Sequence, residues 1–206
     1  MTVIACSKGI LAADSRLLLN SDDAGPDTFF TAHTAEKLKV FSGTFAVAVC
    51  GPLPTANQWK SIDDIFLKHL LLGEVIRDNP IMYLTPNEIK AVGADSRYFI
   101  VMTKRQSYFM AASRDGGRNA LSRIHPDIPI AYGTGARVAY LAIHAGKTAH
   151  DAAAFTTIIE PTCGYPILSV NQEDLFDFTD KIPKTKINIT ILKRIEEIRL
   201  LKGDQE

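Results

Sequence analysis

The sequence has few of the features that mark disulfide frameworks, metal sites and membrane spans. Its 206 residues include only three cysteines, Cys6, Cys50 and Cys163, which are far apart and outside any C-x-x-C pair. Such cysteines suit reduced thiols better than a disulfide framework or a zinc site. No apolar run approaches the roughly 18 residues of a membrane span, and Lys8 and Asp14 interrupt the first apolar run too early for a signal peptide. The sequence therefore predicts a cytoplasmic protein without a membrane partner.

An excess of charge of either sign is also missing. Lysine and arginine together number 23, as do aspartate and glutamate, so the formal net charge is zero. Without a basic surface signal, nucleic acid is not an expected partner. The length fits one domain over residues 1–206, large enough to bury a core without a metal or disulfide.

Nucleotide and metal motifs are incomplete. Gly133, Thr134 and Gly135 lie between a predicted strand and a predicted helix, but Val138 occupies the position of the third glycine in a dinucleotide loop. No G-K-S or G-K-T triplet is present, and the five histidines lack the spacing of metal ligands. We therefore expect no cofactor and no metal at the functional site.

The predicted strands come as hairpins and the helices come in groups. Strand patterns occupy a hairpin over residues 1–14 and the segments 37–41, 44–50, 97–102, 107–112, 128–132, 166–170, 175–179 and 187–192. The spacing of apolar residues predicts a helix that begins at residue 55 and ends at residues 70–73 or at the break over 78–80. Further helices are predicted over 86–91, 138–145, 149–159 and 193–202. Residues 20–34 have the composition of an exposed loop. This order favours antiparallel sheets with helices on their outer faces.

Thr2 is a candidate nucleophile at the start of the chain. Removal of Met1 would make it the terminal residue, whose hydroxyl can attack a carbonyl while its own amine accepts the proton. A Met-Thr start is ordinary by itself, so the prediction depends on the residues that accompany it.

Those residues follow a recognisable order. Thr2 is followed by L-A-A-D-S-R at 11–16, E-K-L-K-V-F at 36–41, F-A-V-A-V-C-G at 45–51 and G-T-G at 133–135. Over most of its length the chain resembles the proteasome β-subunit family of N-terminal nucleophile (Ntn) hydrolases, and is most similar to small proteasome-like proteins of bacteria and phages. The L-A-A-D-S-R segment is the most specific part. The resemblance implies an α+β fold, a four-layer αββα sandwich of antiparallel sheets, which the hairpin order also fits.

The resemblance implies roles for four residues around one site. Thr2 would be the nucleophile, Asp14 and Lys37 its buried charge partners, and the amide at about Ala48 the oxyanion donor. Lys37 would lower the pKa of the Thr2 amine by like-charge repulsion, and Asp14 would keep Lys37 charged and fixed. A preorganised amide donor would contribute on the order of 3 kcal/mol to lowering the barrier.

Three further positions are implied with departures from the family pattern. Thr134 matches a serine that hydrogen-bonds the terminal amine, while Glu160 and Cys163 replace the usual Asp and Ser. A glutamate is longer than an aspartate, and a thiol is a weaker hydrogen-bonding group than a hydroxyl. The oxyanion position is usually glycine rather than alanine. Alternatively, Ala46, Ala48 and Cys50 are core residues; if the site is active, their small side chains leave an apolar first pocket.

The sequence thus predicts a threonine hydrolase that cleaves peptide or related amide bonds through an acyl-enzyme on Thr2 after removal of Met1. The resemblance implies a homo-oligomeric ring with chambered sites, peptide or unfolded-protein substrates and an unfoldase partner. The alternative is a catalytically silent proteasome-like subunit, acting as a scaffold or binding protein. Retention of Met1 would favour this alternative, because the Thr2 amine would then lie in a peptide bond.

Overall fold

The computed structural model describes residues 2–20, 29–32, 35–75, 81–94, 96–111 and 120–177. The strands are β1 Val3–Ser7, β2 Ile10–Asp14, β3 Leu17–Asn20, β4 Phe29–Ala32, β5 Leu38–Phe41, β6 Phe45–Cys50, β7 Ile81–Tyr83, β8 Tyr98–Thr103, β9 Ser107–Met110, β10 Ala120–Ile124, β11 Ile130–Gly133 and β12 Ile167–Asn171. The helices are α1 Ala56–Val75, α2 Pro86–Val92, α3 Ala136–His144 and α4 Ala149–Ile159, and a 3₁₀ turn covers Gln172–Asp174.

The strands form two antiparallel sheets and one separate hairpin. The smaller sheet has the order β11-β1-β2-β12, and the larger has the order β5-β6-β8-β9-β10-β7. The hairpin pairs β3 with β4. The predicted α+β class of antiparallel sheets is therefore confirmed.

Both faces of the central strands are buried, because each sheet lies between another sheet and a helical layer. Alternate residues of β1 face opposite ways: Ile4 joins the core between the sheets, whereas Val3 packs in the core beneath α3 and α4. In β6, Ala46 and Ala48 face the core between the sheets, and Val47 packs in the core beneath α1. This two-sided burial explains why these strands are apolar without polar alternation.

Several predicted elements are confirmed and others are corrected. The hairpins over 1–14 and 37–50 and the helix over 149–159 are present, and α3 packs against α4. The loop assignment for residues 20–34 is wrong where β4 pairs with β3. The strand predicted over 175–179 is wrong in its described part, because residues 175–177 are irregular. Strands β7 and β10 were not predicted, and the segments at 78–80, 187–192 and 193–202 lie outside the described residues.

Glu88 fixes the start of α2 and ties that helix to α1. Thr85 and Glu88 form a capping box, in which the Thr85 amide donates to Glu88 Oε2 at 2.8 Å. The other contacts are with α1: Lys68 Nζ donates to Glu88 Oε1 at 3.2 Å, and His69 Nε2 lies 3.2 Å from Glu88 Oε2. Burial would raise the pKa of this carboxyl, but the Thr85 hydrogen bond and the His69 charge outweigh it and lower the pKa to about 2.

We therefore expect an acid-sensitive contribution from Glu88. A pKa lowered from 4.5 to about 2 stabilises the fold above pH 4.5, and that stabilisation is lost as the pH falls towards 2. Glu88→Gln should lower the free energy of unfolding at pH 7 by about 1 kcal/mol, after allowance for solvent screening, and should flatten its acid dependence. Urea titrations at several pH values test this, with Glu36→Gln as the exposed control. An unchanged acid profile in Glu88→Gln would contradict the assignment.

Candidate active site

The buried carboxylate of Asp14 is the centre of the candidate site. It ends β2, is 0% exposed, and accepts two hydrogen bonds from Lys37 Nζ, at 3.1 Å to Oδ1 and 3.2 Å to Oδ2. Three backbone amides also donate to it, those of Val3 at 2.9 Å, Arg16 at 3.2 Å and Gly164 at 3.2 Å. These five donor contacts satisfy the carboxylate oxygens in a place where an unpaired polar group would be costly.

Lys37 reaches this carboxylate from the other sheet. It directly precedes β5 and is 2% exposed, which is unusual for a lysine. Its Nζ also donates to the carbonyl oxygen of Arg16. The carboxylate and the carbonyl oxygen together hold the buried Lys37 side chain in one position.

Thr2 is held next to this pair by its own neighbour. The amide of Val3, the residue that follows Thr2, donates to the same Asp14 oxygen that Lys37 contacts. Thr2 is 1% exposed, and Val3 pairs with Gly133 across the sheet. A Cβ on Gly133 would lie 1.8 Å from the Thr2 carbonyl oxygen, so only glycine fits there. The structure therefore brings Thr2, Asp14 and Lys37 together at one end of the sandwich.

The amide of Ala48 does not face this pair. Ala48 lies inside β6, opposite Leu38 in β5 and Ile100 in β8. The amide of Val49 donates to the carbonyl of Lys37 at 2.8 Å, and successive amides of a strand face opposite neighbours. The Ala48 amide therefore faces β8. Continued one residue past the end of β6, the same alternation would turn the amide of Gly51 towards the Lys37 side.

Arg97 fixes the chain just beyond Gly51. Its side chain is 5% exposed in total, and its Nε donates to the carbonyl of Pro52 at 2.6 Å while Nη2 donates to that of Leu53 at 3.1 Å. Nη2 also donates to Gln58 Oε1 in α1 at 3.0 Å. Gly51 has a φ of 121°, a conformation that favours glycine. The backbone beside the candidate site is thus held rigidly by one guanidinium group.

Thr134 and Glu160 are linked through a residue that the sequence analysis did not select. Thr134 Oγ1 lies 3.0 Å from Thr162 Oγ1, and the Thr162 hydroxyl donates to Glu160 Oε1 at 2.7 Å. The Thr162 amide also contacts that oxygen, at 3.3 Å. The structure therefore places Thr134 and Glu160 in one hydrogen-bonded chain, with a hydroxyl bridging the two.

Cys163, the last of the predicted site residues, lies on the buried side of these hydrogen bonds. It is fully buried, its amide donates to the Glu160 carbonyl at 3.0 Å, and it directly precedes Gly164, which donates to Asp14. Burial raises the pKa of the Cys163 thiol to about 11, and the Asp14 carboxylate acts in the same direction. Cys163 is therefore a neutral thiol at pH 7, placed to pack rather than to attack.

The three thiols should be unreactive in the folded protein. Burial raises the pKa of Cys6 to about 11 as well, and raises that of Cys50. A thiol of pKa about 11 is ionised to about one part in ten thousand at pH 7, and the thiolate is the reactive form. We expect no rapid reaction with Ellman's reagent at pH 7, and release of three equivalents in denaturant. One rapidly titrating thiol in the native protein would contradict this.

Three stacked aromatic rings lie between the two sheets, near the end that holds Thr2. The rings of Phe109 and Tyr132 are 4.3 Å apart, and those of Tyr98 and Tyr132 are 5.1 Å apart, all nearly parallel. Tyr98 pairs with Cys50, and Tyr132 precedes Gly133. We define these three residues as the aromatic stack; it joins β8 and β9 of one sheet to β11 of the other.

The described ranges contain neither a cluster suited to a metal ion nor a helix suited to a membrane span. No group of three or more His, Cys, Asp or Glu side chains there is arranged to hold a metal ion. In the same ranges, no helix has the length and apolarity to cross a membrane.

Comparisons with known proteins find matches at the level of structure. No family model and no curated protein matches the sequence. The Anbu (Gly-1) mutant from Hyphomicrobium sp. strain MC1 matches with 15% identity and a TM-score of 0.52, over 98% of this chain and 97% of that chain. Eukaryotic HslV from Trypanosoma brucei matches with 13% identity and a TM-score of 0.49, over 82% of this chain and 98% of that chain.

A third solved structure, Thiobacillus denitrificans BPH, is 17% identical with a TM-score of 0.47, over 82% of this chain and 95% of that chain. Identities this low show the fold alone. The match to the Anbu mutant, which covers nearly the whole chain, supports the fold assignment. The chain therefore has the fold of the proteasome-like Ntn hydrolases, as its sequence predicted.

Proposed function

We propose that this chain is a proteasome-like, threonine-type Ntn hydrolase that cleaves peptide or related amide bonds after removal of Met1. The observation that carries the proposal is the shared carboxylate oxygen: Asp14 Oδ1 contacts both Lys37 Nζ and the amide of Val3. This supports the proposal, because Lys37 Nζ and the amide that follows Thr2 meet at one oxygen, close to the residue whose hydroxyl and amine would do the chemistry. Lys37 and Asp14 are both almost fully buried, which strengthens their mutual interaction.

The reaction would proceed in two balanced halves. The Thr2 amine accepts the hydroxyl proton as Oγ1 attacks the substrate carbonyl, and the resulting ammonium then protonates the departing amine of the substrate. This leaves an ester between Thr2 and the acyl part of the substrate. A water molecule then attacks the ester with the same amine as base, and the acid product leaves as the hydroxyl is restored. No metal or nucleotide enters either half.

Lys37 would act on the amine rather than on the substrate. A positive charge close to the Thr2 amine disfavours its protonated form, so its pKa falls and the neutral base is available near pH 7. Asp14 keeps the Lys37 ammonium in place through two hydrogen bonds. We assign the oxyanion amide to Gly51 in place of Ala48, because the strand alternation set by Val49 would turn the Gly51 amide towards the Lys37 side if continued past β6.

Thr134, Glu160 and Cys163 would support this centre. Thr134 and Glu160 are joined through Thr162, which gives Thr134 a fixed hydroxyl orientation beside the chain start. Cys163 would hold the loop that carries the Gly164 amide to Asp14. We further propose that the substrates are peptides or unfolded proteins, and that the chain works in the cytoplasm as a homo-oligomeric ring with an unfoldase partner.

A second function is favoured by one observation. Thr2 is 1% exposed, so its hydroxyl is enclosed by the fold. In a chain that keeps Met1, the amine of Thr2 would also lie in a peptide bond and could not act as a base. Such a chain would be a silent subunit of the same fold, acting as a scaffold or binding protein, with the Lys37–Asp14 pair serving only stability.

Intact-mass analysis separates these two functions. The purified full-length product is measured with and without a covalent threonine-directed inhibitor, alongside the Thr2→Ala variant as the matched control. For the hydrolase, we expect loss of the Met1 mass and one inhibitor adduct per chain, absent in Thr2→Ala. A product that keeps Met1 and forms no adduct would overturn the hydrolase proposal and support the silent subunit.

A further inference from the structure

A second cavity lies at the end of the sandwich away from Thr2. It has a volume of about 600 Å³ and is bordered by the β1–β2 turn, the turn after β8, the end of β10 and Gln172. Thr2 precedes β1 and Cys6 lies near its far end, so the two sites are separated by roughly 13 Å of extended chain, at about 3.3 Å per residue. The cavity is therefore separate from the candidate active site.

The charged side chains among the described residues that line this cavity have one sign. They belong to Lys8, Arg105 and Arg123, which lie there with His125, and no described lining residue carries a carboxylate. In a chain with equal numbers of acidic and basic residues, this is a local concentration of positive charge. Ser7 and Ser107 add hydroxyl groups to the same wall. Such a lining suits an anion that accepts several hydrogen bonds.

Arg123 is oriented by a buried glutamine. Gln106 is 7% exposed, its amide nitrogen donates to the carbonyls of Ser107 at 3.0 Å and Ile124 at 2.5 Å, and its oxygen accepts from Arg123 Nε. Those two carbonyl contacts fix which end of the glutamine amide faces Arg123. Within the described residues, Arg123 Nη1 and Nη2 make no hydrogen bond, so the open side of the guanidinium fork is left for a ligand.

The neighbouring carboxylates offset only part of this positive charge. Asp177 binds Arg105, with Oδ2 2.6 Å from Nη2 and 2.7 Å from Nε. Asp127 Oδ2 lies 3.6 Å from His125 Nδ1 and is 89% exposed. Lys8, at the tip of the β1–β2 turn, forms no ion pair within the ranges that the structure describes. The positive charge that remains comes from Lys8 and Arg123.

We propose that this cavity binds a small oxyanion that carries two or more negative charges on phosphate or carboxylate groups. The open fork of Arg123 would hold two oxygens, Lys8 would supply a second positive charge, and the serine hydroxyls would donate to the remaining oxygens. The site is independent of the hydrolase chemistry, because none of its residues contacts Thr2, Asp14 or Lys37 in the described contacts.

Titration calorimetry on the full chain tests the proposal with two probes, inorganic pyrophosphate and citrate, at constant ionic strength. We expect saturable binding with one site per chain, and the stronger probe identifies phosphate or carboxylate as the preferred group. Arg123→Gln and Lys8→Gln should each weaken binding about tenfold, as expected for the loss of one charge-assisted contact. Lys60→Gln, on the exposed side of α1, is the matched control and should bind as the parent chain does.

Two outcomes would overturn the proposal. One is the absence of saturable binding of either anion up to about 10 mM, a range that covers weak sites. The other is equal binding by the parent chain and both cavity variants, which would mean an adventitious ion only. Lys8→Gln removes no hydrogen bond among the described residues. Its anion affinity therefore tests the proposal even where Arg123→Gln also disturbs Gln106.

Discussion

Lys37→Met is expected to abolish turnover and to destabilise the fold. Removal of the ammonium leaves the Asp14 carboxylate buried without its charge partner, and breaking a buried pair in this way costs about 3–5 kcal/mol. The Thr2 amine also loses the positive charge that keeps it neutral, so the proposed general base is lost. We expect turnover of a fluorogenic peptide to fall by at least about a thousandfold. Peptidase assays and urea unfolding give the two readouts.

Lys39→Met is the matched control for this prediction. Lys39 is two residues away, and its side chain is 37% exposed with a surface contact to Glu36 at 3.5 Å. A change there should alter stability by less than about 0.5 kcal/mol and leave turnover intact. The double variant Asp14→Asn with Lys37→Met removes both charges, and should regain part of the lost stability but none of the activity. Parent-like turnover in Lys37→Met would refute the assigned role.

Gly133→Ala is expected to have the second large effect. A Cβ at this position would overlap the Thr2 carbonyl oxygen, at 1.8 Å, and would approach Cys50 Sγ to 3.2 Å. The φ of 107° adds backbone strain for any residue with a side chain. Since the clash is with backbone, β1 must move and carry Thr2 with it. We expect a loss of more than about 3 kcal/mol in stability and loss of inhibitor capture by Thr2.

Gly146→Ala separates strain from collision. Gly146 has a similar φ of 92°, but a Cβ there would meet nothing within 4 Å. Strain alone should cost about 1–2 kcal/mol and leave the chemistry at Thr2 unchanged. The difference between the two variants, measured by urea unfolding and by adduct formation, is therefore the effect of the contact with Thr2. Equal losses in both variants would show that this contact has no special role.

The sequence predicted the parts of the site that depend on local order. Asp14 ends an apolar strand and Lys37 begins one, so their positions in hairpins can be recognised without knowing how the sheets pack. Their burial and contact could be inferred only through the family resemblance. The fold class could be predicted for the same reason, because hairpins and grouped helices are patterns of neighbouring residues.

The parts that were missed depend on pairing between distant segments. The direction of the Ala48 amide is set by β5 and β8, and β8 lies about fifty residues further along the chain. Gly164 donates to Asp14 across 150 positions, and Thr162 is placed by the same turn. Strand β4 lies in a segment with loop composition, and forms because β3 offers a partner. Amino-acid composition alone does not show which distant segments pair with each other.

The aromatic stack and the single tryptophan give the protein two separate optical reporters. Trp59 belongs to α1, where its ring lies 6.0 Å from that of Phe41, and it is the only tryptophan in the chain. The stack of Tyr98, Phe109 and Tyr132 lies on the other face of the larger sheet, where it meets the smaller one. Tryptophan emission therefore follows the helical side of that sheet, while Tyr98 and Tyr132, two of the six tyrosines, contribute near-ultraviolet circular dichroism from the junction of the sheets. A substitution at the site that lowers this contribution and leaves tryptophan emission unchanged has loosened that junction without unfolding the chain.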